Sequence, residues 1–340
     1  MKPTRVSAIL IALALIATAV AGCSGGTGTA SGGTDEVKLI KVGPDTSPGD
    51  EVCGTAAAPD GPRQIRHAAG TTEVPADPQR IVVLDSDKLD TICALGLQDR
   101  LVGTIAVGTG AQPDYLGPTI HDVPTVGSIS EPALEKVAAR KPDLILGSKF
   151  RTPELYTSLS KIAPTVFTEN VGSTWKQNFL LDAKALRRGT QAEQLLTDLT
   201  DHAAEIGKQV DGPQADLSLV RFIKGGIRVY GPDSFAGQVL ADAEVSRPDF
   251  QQLRGAEDRR FATISEEELR YADGRSIFVA TYGQENEAAE RSALGSPLWK
   301  TLSGVESGHA YRVQDEVWMT GIGVIAANRI LDDLKETLGS

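Results

Sequence analysis

No hydrophobic run in this sequence is long enough to cross a bilayer. The longest, Val6–Val20 (VSAILIALALIATAV), has 15 residues, against about 20 for a spanning helix. Histidine is scarce: four residues (His67, His121, His202, His309) lie scattered along the chain, and there are three cysteines. Neither type clusters at metal-ligand spacing, so the protein is not expected to ligate a metal directly. Basic runs are missing as well, and a formal charge of −11 argues against nucleic acid as a partner. Beyond residue 62 there is no G-x-S-x-G, which excludes a serine-hydrolase elbow in the body of the chain. Nothing in the pattern assembles a nucleophile, a base and oxyanion donors, so no enzymatic activity and no cofactor are expected.

What is present begins at the N-terminus. Lys2 and Arg5 precede the apolar run, and small residues follow it. This is the pattern of a secretory signal peptide over residues 1–22. The segment Val20-Ala21-Gly22-Cys23 resembles the bacterial lipobox, which implies a diacylated Cys23 as the mature N-terminus; the alternative is an ordinary signal peptide with a chance cysteine. Two acyl chains suffice for stable anchoring, here on the extracytoplasmic face of the cell membrane. Residues 23–62 are rich in Gly, Ser, Thr, Pro and Asp and read as a lipidated flexible tether. Cys53 and Cys93 remain. In an oxidising compartment they suggest a disulfide closing a loop of about 40 residues, worth roughly 4 kcal/mol; two unpaired buried thiols are the alternative.

From Gln79 onward short apolar β-branched runs alternate with short helical patterns: "RIVVLDS", "RLVGTIAVG", "ALEKVAARKPDLILGS" and "TPELYTSLSKIAPTVF". That alternation predicts an α/β lobe with a parallel sheet over residues 63–174. Apolar residues at Phe179, Ala183, Leu186, Leu195, Leu199, Ala203, Ile206 and Val210 predict one connecting helix over 175–210, about 50 Å long, with Gly189 as a point of bending. A second α/β lobe over 211–340 restarts with "LSLVRFIKGGIRVYG", carries a Ser265–Glu268 capping box and closes on "GIGVIAANRILDDLKETL". Gly321-x-Gly323-x-x-Ala326 is a truncated dinucleotide fingerprint with no strand or acidic residue after it; close helix packing explains it better. Asp85, Asp87 and Asp90 in one strand-to-helix turn are read as helix capping by Ser86 or Asp87, with calcium binding as the lesser alternative.

Four blocks, "RIVVLDSDKLDTICALGL", "VGSISEPALEKVAARKPDLILGS", "LVRFIKGGIRVYGPDSFAGQVLADA" and "VWMTGIGVIAANRILDDL", resemble the iron-siderophore class of ABC-transporter substrate-binding lipoproteins. The likeness extends over roughly residues 63–338 and is nearest to ferric-citrate and siderophore-binding homologues of actinobacteria. It implies two Rossmann-like lobes joined by one long rigid helix (a class III substrate-binding protein) and a monomer that captures an iron(III)-siderophore between the lobes and delivers it to an ABC importer. The siderophore fills the coordination sphere of the iron, so the cleft needs guanidiniums and aromatic faces. On that basis Arg221, Trp318, Tyr230, Tyr282 and Phe235 are expected to meet the ligand from the second lobe, and Ser86, Asp87, Lys149, Phe150 and Arg151 from the first.

One departure bears on the ligand. Family members that bind hydroxamates or catecholates often carry an arginine soon after the first-lobe "VG"; here Val126–Glu131 has no cation. A less charged ligand, or haem with an axial Tyr or His (of the histidines, His309 or His121), is therefore an alternative. The resemblance also implies permease docking through one glutamate per lobe, at the matching positions Glu135 and Glu267. A membrane-anchored scaffold for envelope partners is a further alternative.

Overall fold

The computed structural model describes the backbone of Lys38–Leu39 together with residues 61–106 and 112–339. The signal peptide, Cys23, Cys53 and most of the tether lie outside the described residues. Strand β1 (Lys38–Leu39) precedes a hairpin, β2 (Arg63–His67) and β3 (Gly70–Val74). The first lobe contains β4 (Ile81–Val83), α1 (Ser86–Ala94), β5 (Leu101–Ala106), β6 (Thr125–Ser128), α2 (Leu134–Ala139), β7 (Leu144–Ser148), α3 (Tyr156–Leu159) and β8 (Thr165–Thr168). Its five strands form an all-parallel sheet in the order β6-β5-β4-β7-β8. Helices α4 (Trp175–Ala185) and α5 (Gly189–Gln209) carry the chain across.

The second lobe follows with β9 (Leu217–Ile223), β10 (Gly226–Tyr230), α6 (Phe235–Asp242), β11 (Phe261–Ile264), β12 (Ser276–Thr281), α7 (Glu287–Leu294), α8 (Pro297–Lys300), α9 (Ser303–Glu306), β13 (Ala310–Arg312) and α10 (Val324–Leu338). Its sheet has the order β1-β13-β12-β9-β10-β11. Strands β1, β13, β12 and β9 are parallel, whereas β10 is antiparallel to both its neighbours, β9 and β11. Strand β1 shows that the region expected to be a plain tether contributes a short parallel edge to this sheet.

The continuous apolar strands bury both faces, as strands covered by helices on each side must. Alternate residues divide cleanly. Ile81, Val83, Leu144, Leu146, Leu217 and Leu219 enter one large core with Trp175, Phe179, Phe235, Phe278, Trp318 and Ile330. Val82, Leu84, Ile105 and Ile145 face a first-lobe satellite core, and Val220, Phe222, Ile277 and Val279 face its second-lobe counterpart. The large core takes residues from both lobes, so the lobes share one hydrophobic interior.

The expected single connecting helix is two helices. Arg187 sits in the left-handed region (φ 59°). The Arg188 amide donates to Ala183 O at 2.7 Å and the Arg187 amide to Lys184 O at 3.3 Å, the paired bonds of a Schellman stop. The break precedes Gly189, which opens α5. The expected Cys53–Cys93 bridge involves Cys53, which lies outside the described residues; Cys93 is 3 % exposed, on the core side of α1, and forms no disulfide with any described residue.

The three aspartates of the β4–α1 turn diverge. Asp85, rather than Ser86 or Asp87, is the N-cap, accepting from the Ser86 amide at 2.8 Å. Asp87 pairs with Lys88 at 2.9 Å. Asp90 leaves its own lobe and accepts from the amides of Ile325 (3.1 Å) and Ala326 (3.0 Å) at the start of α10, and from Tyr115 Oη (3.2 Å). Gly323 permits that approach, because a Cβ there would lie 2.1 Å from the Asp90 carboxylate. The small residues of Gly321–Ala326 thus serve close packing.

Burial pushes the Asp90 carboxyl up to about 6 and, at the Trp318 contact, Asp333 up to about 7. A carboxyl raised in the folded state binds more protons there than when unfolded, so stability falls as pH rises through that interval. The melting temperature is expected to rise by about 5 °C between pH 7.5 and 5.5, read by differential scanning calorimetry; a flat or falling profile would refute this. Asp90→Ala removes the acceptor of two helix amides and is expected to cost about 2–4 kcal/mol in urea unfolding.

Candidate functional site

The C-terminal ends of the parallel strands of the two lobes meet across a cleft. Contact between its walls is direct: Arg260, just ahead of β11, lies 5.8 Å from the Phe150 ring that follows β7. Period-2 alternation places Arg221 on the side of Leu217 and Leu219, within the apolar strand β9 between Val220 and Phe222. Its guanidinium forks onto Asp315, with Nε donating to Oδ1 at 2.5 Å and Nη2 to Oδ2 at 2.6 Å. Nη1 donates to Tyr230 Oη at 3.2 Å, and the group stacks 4.8 Å from the Tyr282 ring. Arg221 is only 8 % exposed. Asp315 and Tyr230 overcome the desolvation penalty and push its pKa up, so it is a permanent charge.

The first-lobe wall comes from the turn after β7. Arg151 Nε donates to Asp85 Oδ2 at 3.0 Å and stacks beside Phe150 at 5.4 Å. Lys149 pairs with Glu169 at 2.9 Å. Phe150 is 46 % exposed, an unusual position for a large apolar ring. Beneath this wall lies a sealed charge cluster. Lys88 meets Asp87 and Asp182, each at 2.9 Å, and donates to Thr168 Oγ1 at 3.0 Å. One ammonium faces two carboxylates, so burial holds the Asp182 carboxyl up at about 7 while Lys88 stays charged.

Of the residues expected from sequence, Arg221, Tyr230 and Tyr282 cluster on the second lobe, and Lys149, Phe150 and Arg151 share one turn of the first. Four others point elsewhere. Trp318 is 1 % exposed, stacked edge-on against Phe278 at 5.1 Å with its indole N–H on Asp333 at 2.6 Å; it belongs to the core. Phe235 packs edge-on against Trp175 at 5.3 Å, again in the core. Ser86 and Asp87 are buried in the first turn of α1. None of the four histidines stands in the cleft as an axial ligand for haem. His309 lines a hollow of about 220 Å³ with Asp211, Arg275 and Tyr311, beside the first residues of β12 and β13 and at the end of the sheet away from the cleft. His121 pairs with Asp114 at 3.2 Å, His67 with Thr72 at 2.9 Å and His202 with Asn328 at 2.9 Å.

Sequence reasoning missed four cleft residues. Arg228 lies directly across the β9–β10 ladder from Arg221, with its guanidinium 3.9 Å above the Phe261 ring. Arg260 forks onto Asp258 (Nε to Oδ1 3.0 Å, Nη2 to Oδ2 2.8 Å). Phe261 and Asp315 complete the set. The signal for Arg228 was present, since it stands two positions from Tyr230 and shares its face; Arg260 and Asp315 sit in polar loops without period.

Comparison with known proteins follows this geometry. The model for a family described as periplasmic binding protein matches residues 81–317. The "Probable siderophore-binding lipoprotein YfiY" of Bacillus subtilis is 36 % identical over 284 residues, 80 % of this chain and 86 % of that one. The achromobactin-binding periplasmic protein of Dickeya dadantii is 27 % identical, covering 77 % of this chain and 87 % of its own. Among solved structures, Staphylococcus aureus SirA complexed with staphyloferrin B superposes with a TM-score of 0.72 at 29 % identity, covering 81 % of this chain and 98 % of that one.

Removing Arg221 alone strands the buried Asp315 carboxylate. Arg221→Met is therefore expected to lower the unfolding free energy by about 3–5 kcal/mol, and adding Asp315→Asn to restore most of it. Equal stability of Arg221→Met and the wild type in urea titration would show that the pair is solvated.

Proposed function

Because the chain belongs to the periplasmic binding protein family, we propose that its inter-lobe cleft captures a ferric siderophore and hands it to an ABC importer, without chemistry of its own. One observation carries this reading: cations and aromatic rings of both lobes line the boundary between them, with Arg260 of the second lobe 5.8 Å from the Phe150 ring that Arg151 flanks, and the Arg221–Tyr282 stack on the same sheet as Arg260. The siderophore-named relatives support it.

Delivery calls for docking points outside the cleft. Glu135 is exposed in the first turn of α2. Glu267 is exposed in the first turn of the 3-10 segment Glu266–Ala272, behind the Ser265–Glu268 capping box. Both carboxylates are open to arginines of a permease, for which bidentate pairing is the strong mode. A lipidated Cys23 would keep the protein within reach of that permease.

Isothermal titration with a panel of ferric siderophores tests capture: saturable binding at micromolar or lower concentration is expected, and silence across the panel would sink the reading. The Glu135→Ala/Glu267→Ala double variant is expected to bind as wild type yet lose most iron uptake in cells, whereas unchanged uptake favours the scaffold alternative. Cys23→Ser is expected to move the protein from the membrane fraction to the soluble one.

A further inference from the structure

The cations of the cleft are unequally partnered. Arg221 holds Asp315, Arg260 holds Asp258, and Arg151 holds Asp85. Arg259 lies 3.4 Å from Asp233 and Lys149 lies 2.9 Å from Glu169. Each of these five positive charges is matched by a carboxylate of the same lobe. Arg228 is different. Among the described residues no carboxylate pairs with it, and its Nε is shielded from solvent without a hydrogen-bond acceptor. Its rung partner across the ladder is Arg221, whose fork is already filled by Asp315. A half-buried cation beside another cation creates a local demand for an anion, within a chain whose overall charge is −11.

The aromatic rings narrow the kind of anion. Phe261 carries Arg228 at 3.9 Å, Tyr282 carries Arg221 at 4.8 Å, and Phe150 lies beside Arg151 at 5.4 Å and Arg260 at 5.8 Å. The rings on which a catechol would stack thus already carry guanidiniums. The forks themselves, at Arg221–Asp315 and Arg260–Asp258, are dimensioned for planar carboxylates. A neutral trihydroxamate complex would leave the surplus charge unmatched.

We propose that the cleft selects a ferric chelate of the carboxylate class, and that Arg228 binds a free carboxylate of that ligand beside Arg221. This rests on the reading of the cleft as a ferric-chelate site. Arg228 is then a specificity-determining residue: it separates anionic carboxylate chelates from neutral ones of similar size.

The test is calorimetric titration of the full-length protein with three probes: iron(III) citrate, a neutral ferric trihydroxamate and a ferric tricatecholate. The wild type is expected to bind iron(III) citrate at least about tenfold more tightly than the trihydroxamate. Arg228→Gln is expected to weaken iron(III) citrate by about 10- to 100-fold, to leave the melting temperature within a few degrees, and to flatten the salt dependence of binding. Arg228→Lys should recover part of the loss and so separate charge from packing. Wild-type preference for the trihydroxamate or the tricatecholate, or an Arg228→Gln variant as tight as wild type for iron(III) citrate, would overturn the proposal and leave ferric-chelate capture standing. Failure of all three probes to bind would remove both.

Discussion

One buried carboxylate joins the two halves of this protein. Asp90 leaves its own helix unassisted and instead accepts two of the free amides that begin α10, across the lobe boundary. The first amides of a helix have no partner within it, and a carboxylate at that end is favoured by the helix dipole. Asp90 therefore satisfies donors that would otherwise be buried and unpaired, and Gly323 clears the space for it. Around this contact Trp175 meets Phe235, Lys176 meets Asp242 and Glu316 meets the Asp114 amide. The facing strand ends are held in register by that assembly, and the cleft is what lies between them.

Charge in the cleft is organised lobe by lobe. Each wall carries its own ion pairs, so neither depends on the other for neutrality. The exception is the Arg221–Arg228 rung, where the ladder register of β9 and β10 forces two cations together. That register follows from the Lys224-Gly225 turn, in which Gly225 takes the left-handed conformation (φ 84°). A tight turn distant from any ligand thus decides which two guanidiniums are neighbours.

Much of this architecture was legible in the chain, for reasons that can be named. "RIVVL" and "DLILGS" are apolar on both faces and became central parallel strands. Arg221 stood out as a charge inside an apolar strand, and the Ser265–Glu268 box formed as written. Illegible features were those fixed by tertiary context. The stop at Arg187 uses a left-handed arginine where sequence rules look for glycine. The weakly apolar strands β2, β3 and β11 lack a buried run. Trp318 misled because an aromatic in a loop reads as surface, whereas its indole N–H is satisfied by Asp333 inside the core. Family likeness led to guanidiniums and aromatic faces in the cleft, but only the folded structure shows which ring carries which cation.

The common hydrophobic interior has a thermodynamic corollary for recognition. Swinging the lobes far apart would wet Trp175, Phe235 and the neighbouring rings of the large core, at about 25 cal/mol for every Å² exposed. A receptor whose halves are fused in this way begins near its bound shape. It has little configurational freedom to surrender when a ligand arrives, so contacts made in the cleft appear almost undiminished as affinity. The same economy makes departure slow, and an outside agent pressing on both lobes at once is the natural means of hastening it.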